Sequence, residues 1–568
     1  MTPISTFDIQ LLSPKHQSYY TIGVHDCLNY SILLHYILCN SSSPTQSQEL
    51  IIFANHQYSR LIEHFTQSYT DNTNNNDILL ALLLAQCCNM QYRSALITLN
   101  TALSHSNNSN TLLLQLIAID LYCKLYRYKD AIKYSDTVLQ YVNTEQNFFR
   151  VRSIKLTAAR KFGVDAESTT ASTISHTTST DTTQTTNDRS DEYVMDAAGL
   201  TYGQIYTVAY MLHAQSYILL NTQTYNHDDR INNYQCALNS LQHLYVNHAT
   251  NQYIILQLAF VYACIQQYSK ARLLISHVLQ DKTNQSNYQL CNMYALLLTA
   301  QQQYIEALTV CNNALTSVTN TEIYDSNAVQ LHITKVYIYN KLNRFEDSLE
   351  SIIQCLSMIF TSDQIKIQRK TSANNINVLT YVTLDITEKE KETQFHRVIN
   401  YKLQLLLLLI STYIQYHQQN KHDDLMPIAI KHMQKAQFLV NNNDDQSDVL
   451  YHSAIIAGHQ YHHQTAATLY TQSIQYNPNN IQSLVGLSEL HIHSPQRSFI
   501  NETVAYHNLQ HVLHIDAYDI DTHNLLDTLY TFQNSQRLAQ KHHNTVKKLR
   551  STQPIRKFSR LTHAFIEA

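Results

Sequence analysis

Glycine is scarce in this chain. Six glycines occur among 568 residues, whereas an average usage of about 7% would give roughly forty. Six are too few for glycine-rich phosphate-binding loops together with a set of tight hairpin turns. Proline is also rare and does not occur between Pro44 and Pro427. Because so little in the chain would interrupt a helix, the sequence predicts an all-α protein.

Charge and long apolar runs are limited as well. Charged residues make up 14% of the chain and the net charge is −4, which argues against nucleic acid as a partner. Residues 1–15 lack the apolar core of a signal peptide. The longest apolar run, Leu405 to Ile410, is far shorter than the roughly twenty residues that span a bilayer. We therefore expect a cytoplasmic protein whose cysteines are reduced.

What the chain does contain is a repeated spacing: an aromatic residue, a small residue three positions later, and another small residue seven positions after that. Tyr92 and Tyr128 begin two copies 36 residues apart, and Tyr268 and Tyr304 begin two more at the same separation. Such a period at helical spacing is typical of stacked helix pairs. We therefore predict an α-solenoid of tetratricopeptide-type helix pairs. The residues expected to pack between helices are Tyr92, Ala95, Ala102, Tyr128, Ala131, Tyr268, Ala271, Tyr304, Ala307 and Ala314.

Two stretches interrupt the helical pattern. Residues 168–190 are rich in Ser and Thr and too poor in aliphatic residues to offset the entropy of ordering. A second stretch ends in alternating Glu and Lys at 388–392, and this charged run is expected to be a solvated linker or helix start. The expected segments are N-terminal helices 1–76, repeats 77–160, a disordered insertion 161–195, repeats 196–362, a charged insertion 363–393, C-terminal repeats 394–551 and a basic tail 552–568.

Thirty histidines raise the question of a metal site, but their spacing does not favour one. His542 and His543 are adjacent, and adjacent residues point about 100° apart on a helix. The acidic cluster at 516–521 lacks the glycine of an EF-hand loop, and Asp519 or Asp521 as a helix N-cap explains it more simply. No nucleophile motif or phosphate-binding loop is present. We expect no catalytic residue, no metal and no cofactor.

The end of the chain is basic. From Thr528 to Ile566 there are eight basic residues and no acidic residue. Such a segment can contact anionic lipid or an acidic partner. A solvated last helix, whose cations favour its C-terminal end, explains the same residues, and both interpretations stay open. The residues expected at a membrane or partner contact are Lys547, Lys548, Arg550, Arg556 and Lys557.

Several segments go beyond a generic repeat. These segments fall into two groups. The first group consists of an apolar helix, the repeat that follows it and a helix that contains Thr-Lys-Val. The second group lies in the C-terminal part of the chain. These segments are Tyr294–Gln301, Tyr304–Leu308, Asn313–Leu315 and Thr334–Val336, then Leu484–Leu490, Asp516–Asp519 and Pro554–Phe558. They resemble the tetratricopeptide proteins that scaffold the plasma-membrane phosphatidylinositol 4-kinase, namely the animal tetratricopeptide-repeat-seven family and its yeast counterpart.

The resemblance implies a scaffold without catalytic activity. Such a scaffold would bridge a phosphatidylinositol 4-kinase to a peripheral plasma-membrane anchor of the Efr kind, and would support phosphatidylinositol 4-phosphate synthesis and endocytic traffic. It would be cytoplasmic and recruited to the plasma membrane as a peripheral protein. The alternative is a tetratricopeptide scaffold of another trafficking or ciliary assembly. The chain departs from the family in being shorter, in carrying two low-complexity insertions and in lacking tryptophan.

Overall fold

The fold was examined in a computed structural model. It describes residues 91–105, 111–141, 202–316, 326–359, 365–371, 378–384, 396–420, 424–493, 501–562 and 565, together with single positions between 59 and 87. The chain forms two compact units, Met1–Leu219 and Leu220–Ala568, so their boundary falls inside the segment 196–362 that was expected to be continuous. The Ser/Thr-rich insertion 161–195 and most of the expected N-terminal helices lie outside the described residues.

The first unit contains helices that pair through aromatic and polar side chains. Its helices are α1 (Tyr92–His105), α2 (Thr111–Lys124), α3 (128–141) and α4 (Tyr202–Leu220), the last of which ends at the unit boundary. Tyr122 of α2 stacks on Tyr134 of α3 with ring centroids 5.4 Å apart. His213 of α4 lies 3.1 Å from the carboxylate of Asp136 on α3. Successive helices of this unit are therefore held side to side.

The second unit continues the pattern as a series of antiparallel helix pairs. Its helices are α5 (His227–Asn247), α6 (Gln252–Cys264), α7 (Tyr268–Leu279), α8 (Tyr288–Ala300), α9 (Tyr304–Thr316), α10 (Ser326–Lys341), α11 (Phe345–Ile359), α12 (His396–Asn420), α13 (Leu425–Ala436), α14 (Asn443–His459), α15 (His463–Tyr476), α16 (Ile481–His493), α17 (Glu502–Ile515), α18 (Ile520–Phe532) and α19 (Gln536–Arg550). The two helices of each pair pack on each other, and the first helices of neighbouring pairs, such as α6, α8 and α10, also touch. The predicted all-α solenoid is confirmed.

Asparagine starts many of these helices. An Asn side-chain oxygen just before the helix accepts a hydrogen bond from a backbone N–H of the first turn, which satisfies a donor that has no partner within the helix. The asparagines in this position are Asn226, Asn251, Asn287, Asn442 and Asn501. Asn251 and Asn287 are 36 residues apart, so the cap repeats with the helix pair. Part of the high asparagine content therefore has a structural role.

The turn inside a helix pair uses left-handed backbone without glycine. Gln266 and Gln302 have φ of 62°, and the N–H of the residue after each donates to a carbonyl five positions earlier, at 2.8 and 3.0 Å. This is the Schellman arrangement, in which glycine is the usual residue. The other described non-glycine residues with positive φ occupy the same kind of turn: Tyr126, Asn343, Tyr461 and Asn534. The chain thus makes these turns despite its shortage of glycine, at a conformational cost.

A β-hairpin lies within the segment 363–393. Strands β1 (Ile365–Thr371) and β2 (Val378–Leu384) pair antiparallel, with Ile365 opposite Leu384. Val382 is fully buried in an apolar cluster that it shares with residues of α10 to α14. Its N–H donates to the Tyr413 hydroxyl at 2.9 Å, and its carbonyl accepts from His432 Nε2 at 2.7 Å. The hairpin was not predicted, and its strand β2 supplies a buried residue to the core of the second unit. The run 388–392, which was expected to be solvated, lies outside the described residues.

Within the second unit, the last helices return to the first ones. The ring of Tyr518 meets that of His227 with centroids 4.7 Å apart, and Arg230 Nη1 donates to the Ile515 carbonyl at 3.5 Å. Farther along, Gln302 Nε2 donates to the carbonyl of Arg550 at 2.7 Å. The C-terminal helices α17 to α19 therefore lie beside helices α5 to α9, and this arrangement decides where the chain's last residues can go.

Candidate functional site

The small residues expected to pack between helices occupy buried positions. Ala307 and Ala314 on α9 share an apolar cluster with residues of α8 and α10. The other buried members of the set are Ala95, Ala102, Tyr128, Ala131 and Ala271. Tyr92, Tyr268 and Tyr304 are only partly buried. The alanines lie on the second helix of each pair. Their spacing places them on the face of that helix that packs against neighbouring helices.

The basic tail 552–568 was expected to be solvated or in contact with a membrane or partner, and its described residues pack against the protein itself. After α19 ends at Arg550, residues 551–562 and Phe565, here termed the C-terminal segment, lie against α6, α8 and α10. The N–H of Ile555 donates to Thr299 Oγ1 on α8 at 3.2 Å. The ring of Phe558 lies 6.1 Å from that of Tyr268, and the ring of Phe565 lies 5.6 Å from that of Phe260. Both phenylalanines are buried.

Arg556 is the first of two corrections to the expected membrane or partner contact, because its side chain binds within the protein. Its Nη1 donates to Thr334 Oγ1 at 3.0 Å, and its Nη2 donates to the side-chain oxygen of Gln330 at 3.0 Å. The guanidinium also lies over the ring of Tyr337, 5.6 Å from its centroid. Burial lowers the pKa of Arg556 from its ordinary value. A side chain held in this way by α10 cannot at the same time face a lipid surface.

Lys557 is the second correction. Its Nζ lies 2.7 Å from Asp516 Oδ2 and 2.6 Å from Asp519 Oδ1. Asp519 also caps α18, since its Oδ2 accepts from the N–H of Thr522 at 3.0 Å. Burial by itself would lower the pKa of Lys557, but the two carboxylates outweigh it and raise that pKa. Two aspartates of the acidic cluster seen in the sequence, Asp516 and Asp519, therefore form ion pairs with Lys557, and Asp519 also caps a helix.

The remaining basic residues of the expected contact are exposed. Lys547, Lys548 and Arg550 lie on the solvent side of α19, opposite the buried Val546 and Leu549. Arg537 and Lys541 at the start of the same helix are exposed too. Two apolar side chains accompany them where α18 turns into α19: Phe532, which is 58% exposed, and Leu538. These exposed cations and apolar side chains are termed the α19 surface below.

Histidine and cysteine serve the core where they are buried. His542 Nδ1 lies 2.8 Å from His523 Nδ1, and His523 Nε2 donates to the carbonyl of Ala517 at 3.0 Å. Burial lowers the pKa of His542 to about 4. Burial likewise raises the pKa of Cys311 to about 12, which leaves its thiol unreactive. Among the described residues no group of three or more His, Cys, Asp or Glu could hold a metal ion.

The residues that receive the C-terminal segment were missed by sequence reasoning. The residues that contact the segment through polar groups or aromatic rings form the docking surface: Phe260, Tyr268, Thr299, Gln330, Thr334, Tyr337, Asp516 and Asp519. One signal was present in the sequence. Thr299, Gln330 and Thr334 are polar residues at otherwise apolar positions of first helices, and they are buried. Buried polar side chains need partners. The hydroxyls of Thr299 and Thr334 donate to acceptors on the helices, the Leu296 carbonyl and the Asn292 side chain, and the segment adds donors to these hydroxyls and to Gln330.

The comparisons with known proteins find similarity among solved structures. No protein-family model matches the sequence, and no curated protein does. Among solved structures, Ypp1 aligns over 99% of this chain and 72% of its own, with a TM-score of 0.50 and 10% identity. Yeast Tom70 aligns over 95% of both chains, with a TM-score of 0.37 and 11% identity. A tetratricopeptide repeat protein from Parabacteroides merdae covers 55% of this chain and 98% of its own, with a TM-score of 0.31 and 12% identity.

The similarity to Ypp1 is one of fold over nearly the whole chain. This chain is a tetratricopeptide-type α-solenoid, and the fold predicted from the repeat spacing is the one observed. In the described ranges, no helix has both the length and the apolar character needed to cross a membrane. The particular partners that the resemblance implies lie beyond what a shared fold establishes.

Proposed function

We propose that this protein is a scaffold without catalytic activity that bridges a phosphatidylinositol 4-kinase to a peripheral plasma-membrane anchor of the Efr kind. In this role it would be cytoplasmic, would be recruited to the plasma membrane as a peripheral protein, and would support phosphatidylinositol 4-phosphate synthesis and endocytic traffic. The sequence resemblance points to this family, and the fold shared with Ypp1 over 99% of the chain supports the scaffold part of the proposal.

One observation carries the proposal. Three of the segments that resemble this family meet in space although they are distant in sequence. Arg556 of the Pro554–Phe558 ending donates to Thr334 of the Thr-Lys-Val helix. Lys557 of the same ending pairs with both aspartates of the segment Asp516–Asp519. Generic repeats do not require three distant motifs that fit one another, whereas a family with a fixed C-terminal arrangement does.

The α19 surface supports peripheral membrane contact. Lys547, Lys548 and Arg550 are exposed, and each cation close to an anionic leaflet contributes about 1 kcal/mol within a Debye length. Phe532 and Leu538 are apolar side chains that could enter the interfacial region beside the cations at the start of α19. This charge is too small to recruit a protein by itself, so it would orient a complex that a partner already tethers.

The test is recovery of partners from the native organism. The tagged protein is affinity-purified and the co-purifying proteins are identified by mass spectrometry, with a phosphatidylinositol 4-kinase and an Efr-type protein as the expected companions. Recovery of a different trafficking or ciliary assembly would replace the proposal.

A second experiment tests the membrane contact. Lys547, Lys548 and Arg550 are changed together to Glu, and the control carries Glu at three cations that are exposed elsewhere: Arg93, Lys129 and Lys431. Both variants change the net charge equally. Cortical localisation and binding to anionic vesicles should fall only in the α19 variant. Equal behaviour of the two variants would remove the α19 surface from the proposal.

A further inference from the structure

The C-terminal segment is bound in the way that a protein recognises a peptide ligand. One backbone N–H, at Ile555, donates to a hydroxyl of α8. Two successive side chains, Arg556 and Lys557, bind separate polar groups. The rings of Phe558 and Phe565 fill apolar positions. Hydrogen bonding to the backbone and pockets for individual side chains are the two components of peptide recognition.

The charge of the docking surface restricts what can occupy it. Asp516 and Asp519 lie close together, and Lys557 is the cation that balances both. Burial alone would raise the pKa of Asp516, but Lys557 overcomes this and lowers it. An occupant without a cation at this point would leave two partly buried carboxylates unbalanced, which is strongly unfavourable. Gln330 and Thr334 likewise offer oxygen acceptors that match a guanidinium.

The segment can leave without unfolding a helix. It follows the end of α19 at Arg550, and its first two residues, Ser551 and Thr552, are exposed. Its described part contains one short 3₁₀ turn, Phe558–Arg560, and otherwise relies on the docking surface for its contacts. Detachment therefore costs the contacts of the docking surface and leaves the helix pairs in place.

We propose that the docking surface is a peptide-recognition site for a segment of a partner protein in which an Arg-Lys pair is followed by an aromatic residue. The chain's own C-terminal segment occupies the site in cis, and the partner segment binds by displacing it. This proposal does not rest on the kinase-scaffold role.

The test measures binding of a synthetic peptide to the full-length protein. A fluorescein-labelled peptide with the sequence of residues 552–568 is titrated, and its anisotropy is followed. Wild-type protein should bind it weakly, because the tethered segment competes at a high effective concentration. Full-length Arg556→Gln/Lys557→Gln protein, whose own segment is weakened, should bind at least tenfold more tightly. Adding Thr334→Val and Asp516→Asn should reduce binding at least tenfold.

Two control peptides define specificity: one with Gln at both basic positions of the Arg-Lys pair, and one with the same composition in scrambled order. Both should bind at least tenfold more weakly than the native sequence. If the double variant keeps its helical circular dichroism but binds native and scrambled peptides alike, or binds neither, the proposal is overturned. Concentration-dependent dimers of the double variant that exclude the peptide would also overturn it, since a second copy would then be the occupant.

Hydrogen exchange on the wild-type protein gives a measurement that needs no variant. With saturating native peptide, amides of residues 555–562 in the protein should lose protection while those of α8 and α10 keep theirs. Unchanged protection at 555–562 under those conditions would show that the segment is a permanent part of the fold, and would overturn displacement.

Discussion

Replacing Lys557 by methionine removes one charge from a three-charge cluster and keeps most of the side chain's volume. In the structure the Lys557 side chain is 25% exposed and lies within 2.7 Å of oxygens of Asp516 and Asp519. The Asp519 side chain is only 8% exposed. The substitution therefore leaves two carboxylates near each other in a setting where water reaches them poorly.

The expected loss of stability follows from this geometry. Breaking a fully buried ion pair by removing one partner costs about 3–5 kcal/mol, whereas exposed pairs contribute at most about 1 kcal/mol. Because Lys557 is partly exposed, the fully buried limit would overstate the loss, and we expect about 2–3 kcal/mol for Lys557→Met. Lys547→Met, at an exposed position on the neighbouring helix, should change stability by less than about 0.5 kcal/mol.

Denaturant unfolding followed by circular dichroism measures both variants. A double variant, Lys557→Met with Asp516→Asn, separates lost charge from lost packing, because the amide removes one unbalanced carboxylate while keeping the shape. It should recover at least about 1 kcal/mol of the loss. If Lys557→Met unfolds like wild type, or if Asp516→Asn adds to the loss without any recovery, the ion cluster does not hold the C-terminal segment as described.

Three further predictions concern the helix pairs and the hairpin. A Cβ at Gly486 would lie 2.7 Å from ring atoms of Tyr470, so Gly486→Ala should destabilise the protein by about 1–3 kcal/mol. A Cβ at Gly458 would meet nothing within 4 Å, so Gly458→Ala should stabilise it by about 0.5–1 kcal/mol. Matched thermal melts measure both variants. Tyr461 is 83% exposed with φ of 62°, so Tyr461→Gly should raise stability by about 1 kcal/mol while Tyr461→Ala leaves it nearly unchanged. Burial lowers the pKa of His432 from 6.5 to about 4, so between these pH values the folded state binds fewer protons than the unfolded state. The free energy of unfolding should therefore fall by about 3 kcal/mol as pH drops from 6.5 to 4. A His432→Asn variant that loses the same stability in acid would contradict this origin.

The repeat architecture could be predicted from sequence because its signal is local and repeated. Tyr268 and Tyr304 mark the same point in successive helix pairs, and the alanines that follow them lie on a single helical face. Burial of Ala271, Ala307 and Ala314 follows from that spacing. The cap at the start of α18 could also be predicted from the sequence, since an acidic residue just before an apolar helical run is a local signal for a helix N-cap.

The hairpin could not be predicted from local sequence in the same way. The segment 363–393 ends in alternating charges, and those charges dominated its interpretation, although Val378–Leu384 is rich in Val, Thr and Tyr, which favour strands. What fixes β2 in place is remote in sequence: the hydroxyl of Tyr413 and the ring of His432 hold the backbone of Val382. No local pattern at 378–384 indicates that such partners exist.

The C-terminal segment shows why charge alone is a weak guide to a surface. Eight cations in the last part of the chain form one basic region in the sequence, yet in the structure they divide into two groups. Lys547, Lys548 and Arg550 extend from a helix into solvent, whereas Arg556 and Lys557 are turned inward by acceptors that are distant in sequence. The division depends on the return of the last helices to the first ones, which brings the acceptors for both inward cations to the same place. If the five cations are treated as one surface, the membrane is assigned two residues that hold the C-terminal segment in place. Reversing all five charges would then report detachment of that segment and lost localisation as one effect. Separating the two groups is therefore the condition for testing either role.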